Sequence, residues 1–342
     1  MSDTSKQSGP PASVQIMQLL FGMFIPKALA AAAELNLADH LSKEPLRADE
    51  LATRIDVHEQ SLYRLLRALA SVGVFREDEQ KRFSNTQLSN VLRADEPDSM
   101  RSMALFLCQG PHWTAWGEFL YSVRTGRSAF ERVHGLRPFD YMERDQSFAR
   151  IFDDAMTRLT AKELLAIHQH LDVSAVKTLV DVGGGQGALL LSCLQKNVTQ
   201  RGILFDAPGV LVKGQPLLEG SGVADRCELV SGDFFGSIPR GDGYIMKYIL
   251  HDWSDEEALR ILQSIHRAAA PGTPLFVLET VIKPGNEPDF AKLLDVQVLS
   301  FYGTGRERTL SELTALFTSA GFRLVRTRAT ESIVTILEAE RV

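Results

Sequence analysis

The stretch Tyr248–Glu257, YILHDWSDEE, places a histidine and an aspartate directly after an apolar run. The run predicts a buried strand that ends at Leu250, and ligands of open α/β sheets bind outside the carboxyl ends of the strands. We therefore expect His251 at the edge of a site, where an imidazole can act as a general base or a metal ligand. The alternative is a helix-start residue, although Ser254 and Glu257 already have the spacing of a helix N-cap with its capping box.

A glycine-rich segment, LVDVGGGQGALLL, predicts a strand, a loop and a helix N-terminus, an arrangement that offers backbone N–H groups to an anion. Gly183, Gly185 and Ala188 satisfy the dinucleotide fingerprint G-x-G-x-x-A, and Asp206 ends the next strand at the spacing of a ribose-binding acid. On these residues alone, the loop could hold a nicotinamide dinucleotide, another nucleotide or no ligand.

Three features favour S-adenosylmethionine over NAD as the ligand of this loop. The carboxylate of Asp181, just before the glycines, suits an ammonium group and would repel a pyrophosphate. After the third strand, Asp233 can accept from an adenine amine while Phe234 covers the ring face. Only Thr330 and Glu331 separate the last two predicted strands, which requires an antiparallel hairpin foreign to the six-stranded dinucleotide fold.

The pattern of predicted elements divides the chain into four segments. Residues 1–13 are polar, lack the regions of a signal peptide and are expected to form a mobile tail. Residues 14–105 predict a helical winged-helix domain, because a helix–turn–helix pattern precedes a short hairpin. Residues 106–171 predict a helical linker that contributes to a substrate pocket. Residues 172–342 alternate short β-branched runs with helices, which predicts βαβ units around a parallel sheet.

Composition argues against nucleic-acid and membrane partners. The 342 residues carry a net charge of −6, and positions 37–95 hold nine Lys/Arg and ten Asp/Glu, which is not the basic footprint of a DNA-binding module. The apolar stretch LLFGMFIPKALAAAAELNLA is interrupted by Pro26, Lys27 and Glu34, whereas a membrane span needs about 20 uninterrupted apolar residues. We instead expect these N-terminal helices to form a homodimer interface. The three cysteines fit neither a disulfide framework nor a zinc site, and a cytoplasmic location is expected.

Five segments occur in a fixed order behind the winged-helix region: LVDVGGGQG, FDAP, SGDFF, YIMKYILHDWSDEEALRIL and GRERTLSEL. Together they resemble the class I S-adenosylmethionine-dependent O-methyltransferases of the caffeic acid and bacterial polyketide-tailoring type, the hydroxyindole O-methyltransferase-like family. The resemblance covers nearly all of the chain after the tail. It implies an α/β fold with a Rossmann-like seven-stranded sheet, an antiparallel last strand and an N-terminal winged-helix dimerisation domain. It also implies methylation of a hydroxyl on an aromatic small molecule, a secondary metabolite.

The resemblance also implies a role for individual residues. His251 would remove the hydroxyl proton, and the two acids Glu279 and Glu307 would orient its imidazole. S-adenosylmethionine would be held by Asp181, Gly183, Gly185, Asp206, Asp233, Phe234, Lys247 and Thr160. The aromatic substrate would contact Met156, Asp252, Phe301 and Tyr302. No metal is expected.

Three other functions stay open at this point. An N-methyltransferase of an aromatic heterocycle would share the fold, but its nitrogen nucleophile needs no base, so His251 and its two acids favour a hydroxyl. A relative could also have been repurposed to decarboxylate or hydroxylate a polyketide. A winged-helix regulator is disfavoured by the charge balance of residues 37–95.

Overall fold

The computed structural model describes residues 10–342, which divide after Gly110 into two compact units. Of the predicted tail, residues 1–9 lie outside the described residues. The first described helix begins at Ala12.

The first unit combines helices with a small antiparallel sheet of strand order β1-β3-β2. Its helices are α1 (Ala12–Phe21), α2 (Phe24–Glu34), α3 (Leu37–His40), α4 (Ala48–Ile55), α5 (Glu59–Ser71), α6 (Gln87–Asn90) and α7 (Arg101–Cys108). Its strands are β1 (Leu46–Arg47), β2 (Phe75–Glu77) and β3 (Arg82–Asn85). Helices α4 and α5 followed by the β2–β3 hairpin form the predicted winged-helix arrangement. On α5, Leu62, Leu66 and Leu69 are buried while Arg64 and Arg67 face solvent.

Helices α1 and α2 form an exposed apolar surface. The stretch Ala12–Glu34 is long and apolar enough to cross a membrane, with a mean hydropathy of 1.6 over its most apolar window. Pro26 lies in the first turn of α2, where no N–H bond is lost, but length and composition alone do not establish a membrane span. Only 17% of that window is buried, and Leu19 and Phe21 on α1 are exposed.

The second unit carries the larger sheet and the remaining helices. Its helices are α8 (Gly110–Trp116), α9 (Phe119–Thr125), α10 (Ala129–His134), α11 (Pro138–Arg144), α12 (Gln146–His170), α13 (Ala188–Lys196), α14 (Pro208–Gly220), α15 (Asp255–Ala268), α16 (Phe290–Tyr302) and α17 (Leu310–Ser319). Its strands are β4 (Thr178–Val182), β5 (Arg201–Asp206), β6 (Cys227–Ser231), β7 (Gly243–Lys247), β8 (Pro274–Glu279), β9 (Val281–Ile282), β10 (Arg308–Thr309), β11 (Phe322–Ala329) and β12 (Thr335–Arg341).

Seven strands form the main sheet in the order β11-β12-β8-β7-β4-β5-β6. Strands β4 to β8 are parallel, and β12 is antiparallel to both β8 and β11, which confirms the predicted fold class. The hairpin connection is longer than predicted, since it spans residues 330–334. Within it, the Thr330 hydroxyl donates to the carbonyl of Val334 at 2.7 Å, and β12 begins at the next residue, Thr335.

The sheet is covered on both faces because successive side chains of a strand point to opposite sides. Val180 packs with Ile261 of α15 on one face, and Leu179 packs with Leu190 of α13 on the other. With both faces covered, the carboxyl ends of the parallel strands are the edge available for a site. The short parallel pair β9–β10 lies just beyond β8, and it brings the segment after α16 to this edge.

Candidate active site

The predicted strand before His251 ends earlier than expected. Strand β7 stops at Lys247, and Tyr248 reverses the chain with a left-handed φ of 55°. The apolar run continues to Leu250 because that side chain is buried in the core, although its backbone belongs to a short 3₁₀ turn. His251 thus stands on a turn at the carboxyl edge of the sheet, directly before α15, whose capping box uses Ser254 as predicted.

Both nitrogens of His251 face carboxylates. Nδ1 lies 2.7 Å from Oε1 of Glu307, and Nε2 lies 3.2 Å from Oδ1 of Asp252. The imidazole side chain is 14% exposed, and Glu307 is buried. This arrangement holds the ring through both of its nitrogens.

Glu279 binds the backbone directly before His251. Its Oε1 accepts from the backbone N–H of Ile249 at 3.1 Å and of Leu250 at 2.8 Å. Glu279 thus holds the peptide that leads to His251, and its role as an acid that orients the histidine stays a prediction. The reason is its position at the end of β8, beside the backbone that leaves β7.

The cluster is also spaced like a metal site, which the sequence did not indicate because its members come from three distant segments. Ligand atoms of His251, Glu279 and Glu307 lie within 4.8 Å of one another. Among the described residues, one oxygen each of Glu279 and Glu307 has no hydrogen-bond partner. Buried, unpaired carboxylate oxygens favour protons or cations nearby.

Electrostatics around His251 favour bound protons. Burial lowers the pKa of His251, but the negative charges of Asp252 and then Glu307 outweigh burial and raise it from 6.5 to about 10. Burial raises the pKa of Asp252 to about 7, and burial likewise raises the pKa of Glu279 to about 7. These charges favour the protonated imidazole, whereas base catalysis requires its neutral form.

Arg308 holds the turn that carries His251, and sequence reasoning missed it. Its buried guanidinium donates to the carbonyls of Leu250 at 2.7 Å and Trp253 at 2.8 Å. It also pairs with Asp255 at 2.8 Å. Arginines are rarely buried unless paired, and the sequence around Glu307 gave no sign that Arg308 would be buried.

The glycine loop has a left-handed backbone at two positions, with φ of 70° at Gly183 and 60° at Gly185. A Cβ on Gly184 would stand 2.6 Å from Cγ of Asp181, which lies buried beneath the loop. Asp206, at the end of β5, accepts from the N–H of Gly185 at 2.8 Å. The loop is therefore tied to the ends of β4 and β5.

A buried acid, Asp181, and a partly buried acid, Asp206, lie under this loop. Burial, and then repulsion from Asp206, raise the pKa of Asp181 to about 7, and burial raises the pKa of Asp206 to about 6. Oδ2 of Asp181 has no hydrogen-bond partner within the described part of the chain. A buried acceptor of this kind is stabilised by a cationic donor, so the loop fits the ammonium group of S-adenosylmethionine better than a pyrophosphate.

The predicted adenine residues lie beside this loop. The ring of Phe234 comes within 3.7 Å of where a Cβ of Gly183 would stand. Asp233 is exposed, and its Oδ1 accepts from the N–H of Phe235 at 2.9 Å. The structure thus brings Phe234 to the glycine loop, while Asp233 lies on the outer side of the same turn.

Lys247 and Thr160, both predicted to lie near the cofactor, are in contact with each other. The Lys247 ammonium pairs with Glu163 of α12 at 2.8 Å and donates to the Thr160 hydroxyl at 3.0 Å. The charge of Lys247 is therefore already paired with Glu163, and its position along the cofactor stays a prediction. Sequence reasoning missed Glu163, since no local pattern distinguishes it from the other charged residues of α12.

Known proteins resemble the chain over nearly its whole length. An O-methyltransferase dimerisation domain matches residues 17–95, and an O-methyltransferase domain matches residues 116–323. Phenazine O-methyltransferase PhzM of Lysobacter antibioticus is 37% identical over 340 residues, which are 99% of either chain. The chain belongs to the S-adenosylmethionine-dependent O-methyltransferases.

Two further relatives of this O-methyltransferase differ in the named substrate. The O-methyltransferase NcsB1 from neocarzinostatin biosynthesis, solved with S-adenosylmethionine and 2-hydroxy-5-methyl naphthoic acid, is 30% identical with a TM-score of 0.80. The match covers 93% of this chain and 96% of NcsB1. An 8-amino-8-demethylriboflavin N,N-dimethyltransferase of Streptomyces davaonensis is 30% identical over 332 residues, covering 96% of this chain and 95% of that protein.

The predicted substrate residues of this methyltransferase separate into two groups. The Tyr302 hydroxyl bonds to Asp252 beside the imidazole. Met156 lies on α12, one turn before Thr160. Phe301 is 1% exposed and packs against the ring of Phe130 at 4.8 Å, so its assignment to the substrate is corrected. It points into an aromatic core because adjacent helix positions face different directions.

One aromatic side chain near this site was not predicted. Phe139, on α11, is 39% exposed. Its ring lies 5.5 Å from that of Tyr302 and stacks at 6.4 Å on that of Trp253. The sequence signal was weak, since RPFDYMER gives no indication that this one aromatic stays exposed.

Proposed function

We propose that this O-methyltransferase transfers a methyl group from S-adenosylmethionine to a hydroxyl of a flat aromatic secondary metabolite, with His251 as the general base. The observation that carries the proposal is the 2.7 Å contact between Nδ1 of His251 and Glu307. Nε2, which lies 3.2 Å from Asp252, is then the nitrogen that would take the substrate proton. A carboxylate on Nδ1 holds one tautomer and stabilises the imidazolium after proton transfer. Glu279 and Arg308 support the base by fixing the backbone on either side of it.

The glycine loop and its acids are the residues we propose for the cofactor. Asp181 with the loop at Gly183 and Gly185 would receive the methionyl part, Asp206 the ribose, and Phe234 with Asp233 the adenine. S-adenosylmethionine supplies an electrophilic methyl group at its sulfonium. The chain's own part is to hold the hydroxyl in line and accept its proton, and placement of this kind accounts for a large share of the barrier reduction.

An aromatic substrate is supported by the rings beside the base. Phe139, Trp253 and Tyr302 lie next to one another at this edge of the second unit. Aromatic side chains can contact a flat ring by offset stacking or edge to face. Each such contact is worth about 0.5–1.5 kcal/mol. Met156 on α12 suits the same wall, because its thioether adapts to irregular shapes.

Methylation of a nitrogen is the second candidate. It is favoured by the raised pKa of His251, because a charged imidazole is no base and an amine needs none.

Purified enzyme should be incubated with S-adenosylmethionine and matched ring compounds that carry either a hydroxyl or an amino group. We expect mass spectrometry to show one added methyl on the hydroxyl compounds. Methylation of only the amino compounds would establish N-methyl transfer instead.

The activity should depend on pH through the base. Because carboxylates raise the pKa of His251 and only its neutral form accepts a proton, kcat/KM should keep rising with pH well above 6.5. Glu307→Gln removes one of these negative charges, so the inflection in the pH profile of its kcat/KM should move to lower pH. Profiles with two phenols of different acidity separate the enzyme's inflection from the substrate's own. The control Glu331→Gln changes an exposed acid bonded to His170. An inflection that is the same in Glu307→Gln and wild type would contradict the assignment.

We also propose a homodimer built through the N-terminal helices. The exposed apolar side chains of α1 and the match to a dimerisation domain support it. Sedimentation at micromolar concentration should give twice the chain mass, and Leu19→Glu with Phe21→Glu should shift the protein towards monomer. A wild-type monomer under these conditions would count against the interface.

The free cysteines suit the cytoplasm, where we place the enzyme. We also propose the following division of each chain: residues 14–105 form the dimerisation domain, residues 106–171 form the linker that contributes to the substrate pocket, and residues 172–342 form the catalytic domain.

A further inference from the structure

Tyr248 adopts an unusual backbone conformation directly before the base. Its φ of 55° is left-handed, a region that aromatic residues rarely occupy, so contacts from other elements have to hold it. Its N–H donates to the carbonyl of Leu278 in β8 at 3.0 Å. Its hydroxyl donates to Oε1 of Glu163 in α12 at 2.8 Å. Two separate elements thus fix the two ends of this residue.

Glu163 and Lys247 complete a buried group with Tyr248. The side chain of Glu163 is 3% exposed, and its second oxygen pairs with the Lys247 ammonium at 2.8 Å. The same ammonium lies 4.1 Å from the centre of the Tyr248 ring. Each of the three side chains contacts the other two, so movement of one disturbs both others. Such closed polar groups hold side chains rigidly when every member is paired.

The Tyr248 ring faces the base. It stacks on the imidazole of His251 with centroids 5.5 Å apart and planes 20° from parallel. Glu307 and Asp252 contact the two ring nitrogens, which defines an axis but does not prevent the imidazole from tilting about it. A ring against one face prevents that tilt.

We propose that Glu163 is a positioning residue for methyl transfer: by binding the Tyr248 hydroxyl it keeps the tyrosine ring against His251 and sets the tilt of the imidazole. This inference rests on the proposed role of His251 as the base. It assigns a function to a buried ion pair that lies outside the glycine loop and outside the carboxylates of His251. It also links α12, which carries Met156, to the base.

Tyr248→Phe tests the hydroxyl, since it keeps the ring and removes the bond to Glu163. We expect kcat at saturating cofactor to fall by about tenfold, with KM for the substrate and Kd for S-adenosylmethionine within about twofold of wild type. The matched control is Tyr63→Phe in the first unit, where the Tyr63 hydroxyl donates to Glu77 at 3.1 Å beside Lys81. Its kcat should stay within about twofold of wild type.

A double-mutant cycle separates positioning from general damage. Glu163→Leu removes the same hydrogen bond. The kcat of the double variant Tyr248→Phe/Glu163→Leu should therefore be no lower than that of the more impaired single variant, because both substitutions break the same interaction. Glu163→Gln keeps an acceptor and should recover most of kcat. The NMR resonances of the His251 ring, assigned by their loss in His251→Ala, should shift in Tyr248→Phe and not in Tyr63→Phe.

Any one of three results would overturn the positioning role. These are a wild-type kcat in Tyr248→Phe, additive losses of kcat in the double variant, and unshifted His251 resonances in Tyr248→Phe. If Glu163→Leu does not fold, kcat and the resonances of Tyr248→Phe decide alone. The base proposal fails separately, if His251→Ala is fully active. An inactive His251→Ala beside a fully active Tyr248→Phe would reject only the role of Glu163.

Discussion

His251→Ala should lower kcat by about 10²- to 10⁴-fold, the usual contribution of a general base, while Kd for S-adenosylmethionine stays within about twofold. The imidazole lies between Glu307 and Asp252 on the turn after β7, whereas the glycine loop follows β4. Loss of the ring therefore removes proton transfer without removing a cofactor contact. Steady-state kinetics and calorimetry measure the two effects separately.

Recovery at high pH provides the internal check on this result. With a phenolic substrate, whose pKa is near 10, solvent can supply the phenolate, so activity of His251→Ala should return as pH rises. His170→Ala is the control, because His170 contacts only the exposed carboxylate of Glu331 among the hydrogen bonds described for it. If His251→Ala turns over the hydroxyl substrate at the wild-type rate at pH 7, the base assignment is lost. Proximity alone would then account for transfer.

Gly305→Ala should lower kcat by about 10²-fold, because misplacement of a reacting group by about 1 Å costs that much. A Cβ at this position would stand 2.6 Å from the carbonyl oxygen of His251 and 2.7 Å from that of Asp252. Both obstacles are backbone atoms, and Arg308 already clamps the same turn, so the turn or the segment at Gly305 has to move. Kinetics and a crystal structure of the variant measure the loss and the displacement.

Gly209→Ala is the matched control for this substitution. Gly209 lies in the first turn of α14 with nothing within 4 Å of the added carbon, and alanine is a better helix former than glycine. Its kcat should equal that of wild type, with unchanged or raised Tm. Cofactor binding should survive in both variants. Wild-type kcat in Gly305→Ala would show that the turn tolerates displacement and that the position of His251 is less critical than we argue.

Local patterns in the sequence determined the fold and the main parts of the site. Alternation of β-branched runs and helices predicts the parallel sheet, and a short link between the last two strands predicts the antiparallel end. The glycines before α13 and the imidazole after an apolar run are also local signals. Each depends on residues within a few positions of one another, where backbone preferences and side-chain period act directly.

Contacts between distant segments were decided only by the tertiary structure. Glu279 binds backbone amides rather than the imidazole because β8 lies beside the chain leaving β7. Arg308 is buried because β10 pairs with β9 and delivers it under the turn at His251. Glu163 meets Tyr248 only because α12 packs on the sheet and the tyrosine backbone is left-handed. A charged residue carries no sign of its partner in the sequence, since burial and pairing depend on which elements the fold places side by side.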